Sequence, residues 1–229
     1  MNIDTIILGD SYKIIKEIPD NSVDLIVTDP PYDFGGNLSH KNPLSQRKTY
    51  RGIDSSGINK GFDRKILDEF VRVEKKINIY IWCNKEQIYD YLTYFVKERN
   101  CNWEILVLGK TNPPPFCHSH YLKDKEYCLY FWEKGVELKT IYQTGKTVFV
   151  KPCMSDKEKY GHPTAKPEDI TETIIANSCP DGGLVLDPFS GSGTTCSMAK
   201  KLGMHYLGIE INEEFWRTSR WRTTRLRTK

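Results

Sequence analysis

A glycine-rich turn in the last quarter of the chain has the residue types needed to bind a ligand. Residues 183–196, GLVLDPFSGSGTTC, have the pattern of an apolar strand, a turn with Gly191 and Gly193, and a helix. Glycines at the end of a strand let backbone N–H groups and a helix N-terminus approach a ligand closely. A tight turn without any ligand has the same pattern, so the turn alone leaves both interpretations open.

Two carboxylates beside this turn narrow the choice of ligand. Asp187 ends the strand, where its charge suits a ligand with an ammonium group and disfavours a pyrophosphate. Glu210 ends the next strand about 20 residues later, where an acidic side chain can accept hydrogen bonds from both ribose hydroxyls. A ligand with an adenosine and a positively charged amino acid satisfies both, which favours S-adenosylmethionine. NAD fits less well because the turn lacks the G-x-G-x-x-G pattern.

Strands that alternate with helices must position these residues. Apolar and β-branched runs predict strands, and apolar residues at helical spacing predict helices. The run 23–28 is apolar enough for a strand buried on both faces of a parallel sheet. The alternation implies βαβ units and therefore an α/β fold. Strands are predicted at 6–8, 23–28, 78–82, 103–108, 127–132, 184–186 and 206–209, and helices at 11–18, 63–75, 85–99, 194–202, from Pro167 onward and at the Arg-rich C-terminus.

Length and composition bound the kind of protein. The chain has 229 residues, of which 12% are aromatic and 38% hydrophobic. These values suit one domain spanning 1–229 and exclude global disorder. No apolar run approaches the roughly 20 residues that cross a bilayer, and the N-terminus lacks the pattern of a signal peptide. We therefore expect a cytoplasmic protein with no membrane association.

The seven cysteines form no CxxC pair, and their number is odd, so reduced thiols are expected. Cys117, His118, His120 and Cys128 have the residue types of a zinc site but not its usual spacing. The sequence therefore predicts no metal site.

The formal net charge of +3 hides two basic segments. Residues 37–65 contain seven basic and two acidic side chains, and residues 217–229 contain six basic and none acidic. The remainder is acidic. Clustered basic charge is typical of a polyanion-binding protein, although solvated surfaces and tails also carry such runs. We expect the C-terminal run to be a solvated helix.

Three motifs in a fixed order resemble the β group of DNA amino-methyltransferases. The motifs are TDPPY at 28–32, HPTAKP at 162–167 and DPFSGSGTT at 187–195, and the likeness extends from LGDS at 8–11 to GIEIN at 208–212. In that group the catalytic motif precedes the cofactor motif. The resemblance implies a doubly wound, mostly parallel, Rossmann-like methyltransferase sheet with one antiparallel strand and a circularly permuted motif order.

The resemblance also implies a catalytic role for Asp29, Pro30, Pro31 and Tyr32. An exocyclic amino nitrogen is a poor nucleophile because its lone pair is delocalised into the base. Asp29 and the carbonyl of Pro30 can each accept one of its N–H bonds and localise the lone pair. The two prolines fix φ, and Tyr32 can stack on a base flipped out of the duplex. Without the resemblance, the same residues would predict a turn with an Asx cap.

The resemblance assigns further residues to the S-adenosylmethionine site. Asp10 matches a position that contacts the adenine amino group, and it is equally suited to cap a helix. Phe189 matches the residue beside the methionine portion, and Thr164 and Lys166 match those that hold the carboxylate. The predicted cofactor-binding residues are Asp10, His162, Thr164, Lys166, Asp187, Phe189, Gly191, Ser192, Gly193, Thr194 and Glu210.

The expected substrate is double-stranded DNA. Residues 33–60 have little periodicity and are predicted to form a mobile DNA-binding loop through Lys41, Arg47, Lys48 and Arg51. Residues 135–161 correspond to the target-recognition region, which is short here, so we expect a homodimer. Asp before Pro-Pro favours adenine N6, with cytosine N4 as the alternative and a non-catalytic DNA-binding protein less favoured. The sequence leaves open whether a partner restriction endonuclease exists.

Overall fold

Eight strands form one sheet in this computed structural model, which describes residues 2–31, 63–115, 117, 119–152 and 165–225. The strands are β1 (Thr5–Leu8), β2 (Leu25–Thr28), β3 (Asn78–Cys83), β4 (Asn102–Lys110), β5 (Lys125–Trp132), β6 (Val148–Lys151), β7 (Leu184–Asp187) and β8 (His205–Glu210). Their order in the sheet is β1-β8-β7-β2-β3-β5-β4-β6.

One strand runs against the others. β5 is antiparallel to both of its neighbours, β3 and β4, and every other neighbouring pair is parallel. The predicted mostly parallel sheet with one antiparallel strand is therefore confirmed. Because β5 is reversed, its first residues lie beside the carboxyl ends of β3 and β4: Tyr127 pairs with Cys83, and Lys125 pairs with Gly109.

Helices cover both faces of the sheet, as expected for a doubly wound fold. The helices are α1 (Ser11–Ile14, continued as a 3-10 turn over Ile15–Glu17), α2 (Ile66–Val73), α3 (Ile88–Tyr91, continued as a π-helix over Leu92–Lys97), α4 (Glu168–Ser178), α5 (Thr194–Lys201) and α6 (Glu213–Arg225). α2 and α3 pack with one apolar cluster, and α4 and α5 pack with the other. Among the helices that the structure describes, none is long and apolar enough to cross a membrane.

The central strands explain why the sheet forms where the sequence predicts it. All residues of β2, β3 and β7 are buried. Their continuous apolar runs suit strands that are covered on both faces. Each predicted strand corresponds to an observed one, with ends shifted by one or two residues. The carboxyl ends of β2 and β7 are therefore held side by side by the core.

β6 is a strand that the sequence did not predict. It lies inside the 135–161 segment and pairs in parallel with β4 at the edge of the sheet. Val148 and Val150 remain about two-thirds exposed. A four-residue edge strand in which no residue is fully buried gives only a weak periodic signal. The recognition role of 135–161 stays a prediction.

Candidate active site

The acidic residues predicted from the motifs lie at the carboxyl ends of the parallel strands. β1 leads into Asp10, β2 into Asp29, β7 ends at Asp187, and β8 ends at Glu210. Asp10 caps α1, with its carboxylate accepting a hydrogen bond from the Tyr12 N–H at 3.0 Å. This edge of an open α/β sheet is where ligands bind.

Glu210 holds the glycine turn, residues 188–193 between β7 and α5, against β8. Its Oε2 accepts a hydrogen bond from the Gly191 N–H at 2.7 Å, and its Oε1 accepts one from the Asn212 N–H at 2.7 Å. Burial raises the pKa of Glu210, and these backbone hydrogen bonds act in the opposite direction. A carboxylate has about four acceptor positions, so these two bonds are compatible with the predicted ribose contact.

Asp187 is a buried carboxyl group that joins the carboxyl ends of β2 and β7. Its Oδ1 accepts hydrogen bonds from Thr28 Oγ1 and from the Phe189 N–H, both at 3.1 Å. Burial raises the pKa of Asp187 to about 7, although hydrogen bonds from Thr195, Phe189 and Thr28 oppose the shift. The Thr28 contact places the end of β2, and with it Asp29, directly beside the glycine turn.

Asp29 forms an ion pair with Lys166. The Lys166 ammonium lies 3.0 Å from Asp29 Oδ2 and 3.1 Å from Glu126 Oε2. It also lies 5.0 Å from the centre of the Trp82 ring, where a cation is attracted to the ring face. Lys166 was predicted for the cofactor carboxylate, and the structure adds a contact to the predicted catalytic carboxylate.

Sequence reasoning missed Glu126 and Lys110, which extend this ion pair. Lys110 Nζ lies 2.8 Å from Glu126 Oε1. The predicted strand began at residue 127 and the preceding one ended at 108, so both charged residues fell outside predicted elements. Lys110 and Glu126 each lie two residues from an apolar strand residue, Leu108 or Cys128, and this spacing, which puts them on the same face of the sheet, was the available signal.

Phe189 packs beside a second aromatic residue that the sequence did not single out. The rings of Phe189 and Tyr12 meet edge-to-face with centroids 6.2 Å apart. Tyr12 Oη accepts a hydrogen bond from the Asp63 N–H at 3.0 Å. Tyr12 therefore links the glycine turn to Asp63, three residues before the start of α2.

The C-terminal helix supports the glycine turn through Arg222, so the expectation of a solvated helix is wrong at this residue. Arg222 is buried, with 3% of its surface exposed. One guanidinium nitrogen lies 2.8 Å from Thr194 Oγ1 and 3.3 Å from both the carbonyl and the hydroxyl oxygen of Ser192. The other lies 2.7 Å from Glu168 Oε1 at the start of α4. Arg217 and Arg220 on the same helix are exposed, as expected.

Several predicted residues lie outside the described part of the chain: Tyr32, His162, Thr164, Lys41, Arg47, Lys48 and Arg51. Their assignments stay predictions.

Of the zinc-type residues, Cys128 is buried in β5, whereas Cys117 is exposed. Within the described ranges, no three His, Cys, Asp or Glu side chains are grouped as a metal site requires.

Most of this chain matches one family of known proteins. The family described as DNA methylase, which comprises N6 and N4 methyltransferases, matches residues 23–220. That span contains Asp29, Lys166 and the glycine turn. The chain belongs to the DNA methylase family. The predicted resemblance is thereby confirmed.

Individual relatives of this methylase agree with the family assignment. It is 30% identical to the Type II methyltransferase M2.DpnII of Streptococcus pneumoniae over 93% of this chain and 87% of that protein. It is 29% identical to the Type II methyltransferase M2.LlaDCHI of Lactococcus lactis subsp. cremoris, with the same two coverages. The solved structure of the M1.HpyAVI-SAM complex superposes with a TM-score of 0.72 and 25% identity, covering 95% of the methylase and 98% of that chain.

Proposed function

We propose that this methylase transfers a methyl group from S-adenosylmethionine to the N6 amino group of an adenine flipped out of double-stranded DNA. One observation carries the proposal: Thr28 Oγ1 donates to Asp187 Oδ1 at 3.1 Å, which joins the strand end bearing Asp29-Pro30-Pro31 to the glycine turn. A nucleophile held at Asp29 and a methyl donor held at the turn would then be neighbours. Such positioning supplies much of the rate of a bimolecular reaction.

The residues of the turn suit the cofactor in charge and in shape. Asp187 offers a carboxylate to an ammonium group, and Glu210 offers acceptors to ribose hydroxyls. Gly191 and Gly193 both adopt positive φ, of 50° and 77°, which favours glycine. M1.HpyAVI, which is similar to this chain, has a structure named as a complex with SAM. The predicted roles of Asp10, Lys166, Phe189, Ser192 and Thr194 belong to the same proposal, together with those of His162 and Thr164.

Asp29 and Pro30 would activate the target amino group. The Asp29 carboxylate accepts one N–H hydrogen bond and the Pro30 carbonyl accepts the other, so the nitrogen lone pair becomes more available. When bound, S-adenosylmethionine supplies an electrophilic methyl group for direct displacement. Pro31 keeps the backbone extended at Pro30, and Tyr32 would stack on the flipped base.

The choice of adenine rests on Asp29, because Asp rather than Ser precedes Pro-Pro.

The basic segment with Lys41, Arg47, Lys48 and Arg51 directly follows Tyr32 in the chain and would contact the DNA backbone. A homodimer is proposed from the short 135–161 segment. The relatives named as Type II methyltransferases are consistent with a role beside a restriction endonuclease.

The test is a methyl-transfer assay with labelled S-adenosylmethionine and duplex DNA, followed by digestion and mass analysis of the nucleosides. We expect N6-methyladenine from the wild type. Asp29→Ala should lower the rate by at least about a hundredfold, because it removes a preorganised hydrogen-bond acceptor from the reacting group, and it should still bind the cofactor. N4-methylcytosine would overturn the choice of base, and full activity of Asp29→Ala would overturn the mechanism.

A further inference from the structure

A chain of four alternating charges runs from Asp29 into the sheet. Its contacts are Asp29 Oδ2 to Lys166 Nζ at 3.0 Å, Lys166 Nζ to Glu126 Oε2 at 3.1 Å, and Glu126 Oε1 to Lys110 Nζ at 2.8 Å. The side chains are only 9% to 21% exposed. Charges that are this poorly solvated interact strongly, and removing one leaves its partners uncompensated.

The two ends of this chain are attached to rigid parts of the fold. Lys110 ends β4, and Glu126 lies in β5, which pairs with β3 and β4 along nearly its whole length. Lys166 lies over the ring of Trp82, a β3 residue that is 2% exposed. The position of the Lys166 ammonium is therefore set by β3, β4 and β5.

Resting on the proposed function, we propose that Glu126, supported by Lys110, is a positioning residue for methyl transfer. Glu126 holds the Lys166 ammonium at Asp29 Oδ2, and this contact fixes the rotation of the carboxylate that receives the target amino group. A hydrogen-bond acceptor that can rotate away loses much of its preorganisation, and with it rate.

Glu126 can influence the reaction through Lys166 in two ways, and the two have different measurable effects. If Glu126 acted only by placing Lys166 near the cofactor carboxylate, its loss would weaken cofactor binding. If it acts through Asp29, its loss lowers the rate of methyl transfer at saturating cofactor and leaves the cofactor Kd nearly unchanged. The second outcome is the one expected here.

Glu126→Gln is the decisive variant, since it removes the charge and keeps the size of the side chain. We expect the single-turnover rate at saturating cofactor and DNA to fall by about tenfold or more, with a cofactor Kd, measured by calorimetry, within about twofold of the wild type. Lys110→Met should also lower the single-turnover rate. Lys110→Arg should keep most of the wild-type rate because it keeps the positive charge.

Glu172→Gln is the matched control. Glu172 on α4 pairs with Lys201 on α5 at 2.5 Å and is 24% exposed, similar to Glu126 at 19%. Its rate should equal that of the wild type. An unchanged rate in Glu126→Gln, a loss explained by the cofactor Kd alone, or an equal loss in Glu172→Gln would overturn the inference. If Glu126→Gln fails to fold, the test passes to Lys110→Met, and an unchanged rate in that variant would overturn the inference. A wild type that does not methylate DNA would instead overturn the proposed function.

Discussion

At the scale of single residues, Asp187 is set apart by a pKa of about 7, raised by burial. An ordinary aspartate is fully ionised at neutral pH. In the free protein, Asp187 instead changes protonation within the physiological range. A ligand cation placed beside it would favour the ionised form, so binding should release the proton.

We therefore predict that the affinity for S-adenosylmethionine rises with pH from about 5 to about 7 and then levels off, because below the pKa the proton must be displaced. Asp187→Asn should bind more weakly and lose this dependence. Asp181→Asn, which changes a fully exposed aspartate near the start of β7, should keep it. Calorimetry at several pH values from about 5 to about 8 measures how cofactor affinity depends on pH in each protein. The same dependence in the wild type and in Asp187→Asn would contradict the prediction.

At the scale of elements, the glycine turn is enclosed by α6. Arg222 contacts Ser192 and Thr194 from one side. A Cβ atom added to Gly193 would lie 2.7 Å from Ser219 Cβ and 3.0 Å from Ser219 Cα. The absence of a side chain at Gly193 thus lets the C-terminal helix pack against the turn.

Gly193→Ala should therefore weaken cofactor binding by about tenfold or more, since it combines backbone strain with a steric clash against a rigid helix. Gly203→Ala is the matched control: Gly203 also has a positive φ, of 75°, but a Cβ atom there meets nothing within 4 Å. It should lose about 1 kcal/mol of stability from backbone strain and bind the cofactor normally. Equal cofactor Kd values in the two variants would contradict the role of α6.

The sequence predicts the elements well and their side-chain contacts less well. The continuous apolar runs of β2, β3 and β7 and the motifs around Asp29 and Gly191 carry local signals. β6 is short and exposed, so it carries almost none. Lys166 and Glu126 are 40 residues apart in the chain, and their contact depends on the position of the reversed strand β5. Arg222 looks like its exposed neighbours until the packing of α6 is known.

At the scale of the whole molecule, basic charge is unevenly distributed along an otherwise acidic chain. The segment containing Lys41, Arg47, Lys48 and Arg51 directly follows the Asp29 motif, so in the proposed complex it would meet DNA near the reacting base. Each phosphate contact releases counterions, which makes DNA affinity depend on salt concentration.

Replacing these four residues with Ser should reduce the magnitude of the slope of log K against log salt by about 3 to 4. The control replaces four exposed lysines that lie near the amino ends of the parallel strands, and it should change the slope little. Fluorescence anisotropy with a labelled duplex gives both slopes, and equal slopes in the two variants would contradict DNA contact by the segment. The control residues are Lys75, Lys76, Lys97 and Lys134.

The reversed direction of β5 gives the active-site edge of the sheet a second source of residues. At the parallel strands, the residues of the site lie in the segments that follow each strand. Those segments include the glycine turn and the Asp29 motif, so substitutions there alter both cofactor binding and catalysis. At β5, the residues that enter the strand lie at the same edge. Substitutions in the first residues of β5 would change the rate of methyl transfer through Glu126 and leave the glycine turn intact. Libraries aimed at altered turnover with retained cofactor affinity should therefore randomise the start of β5.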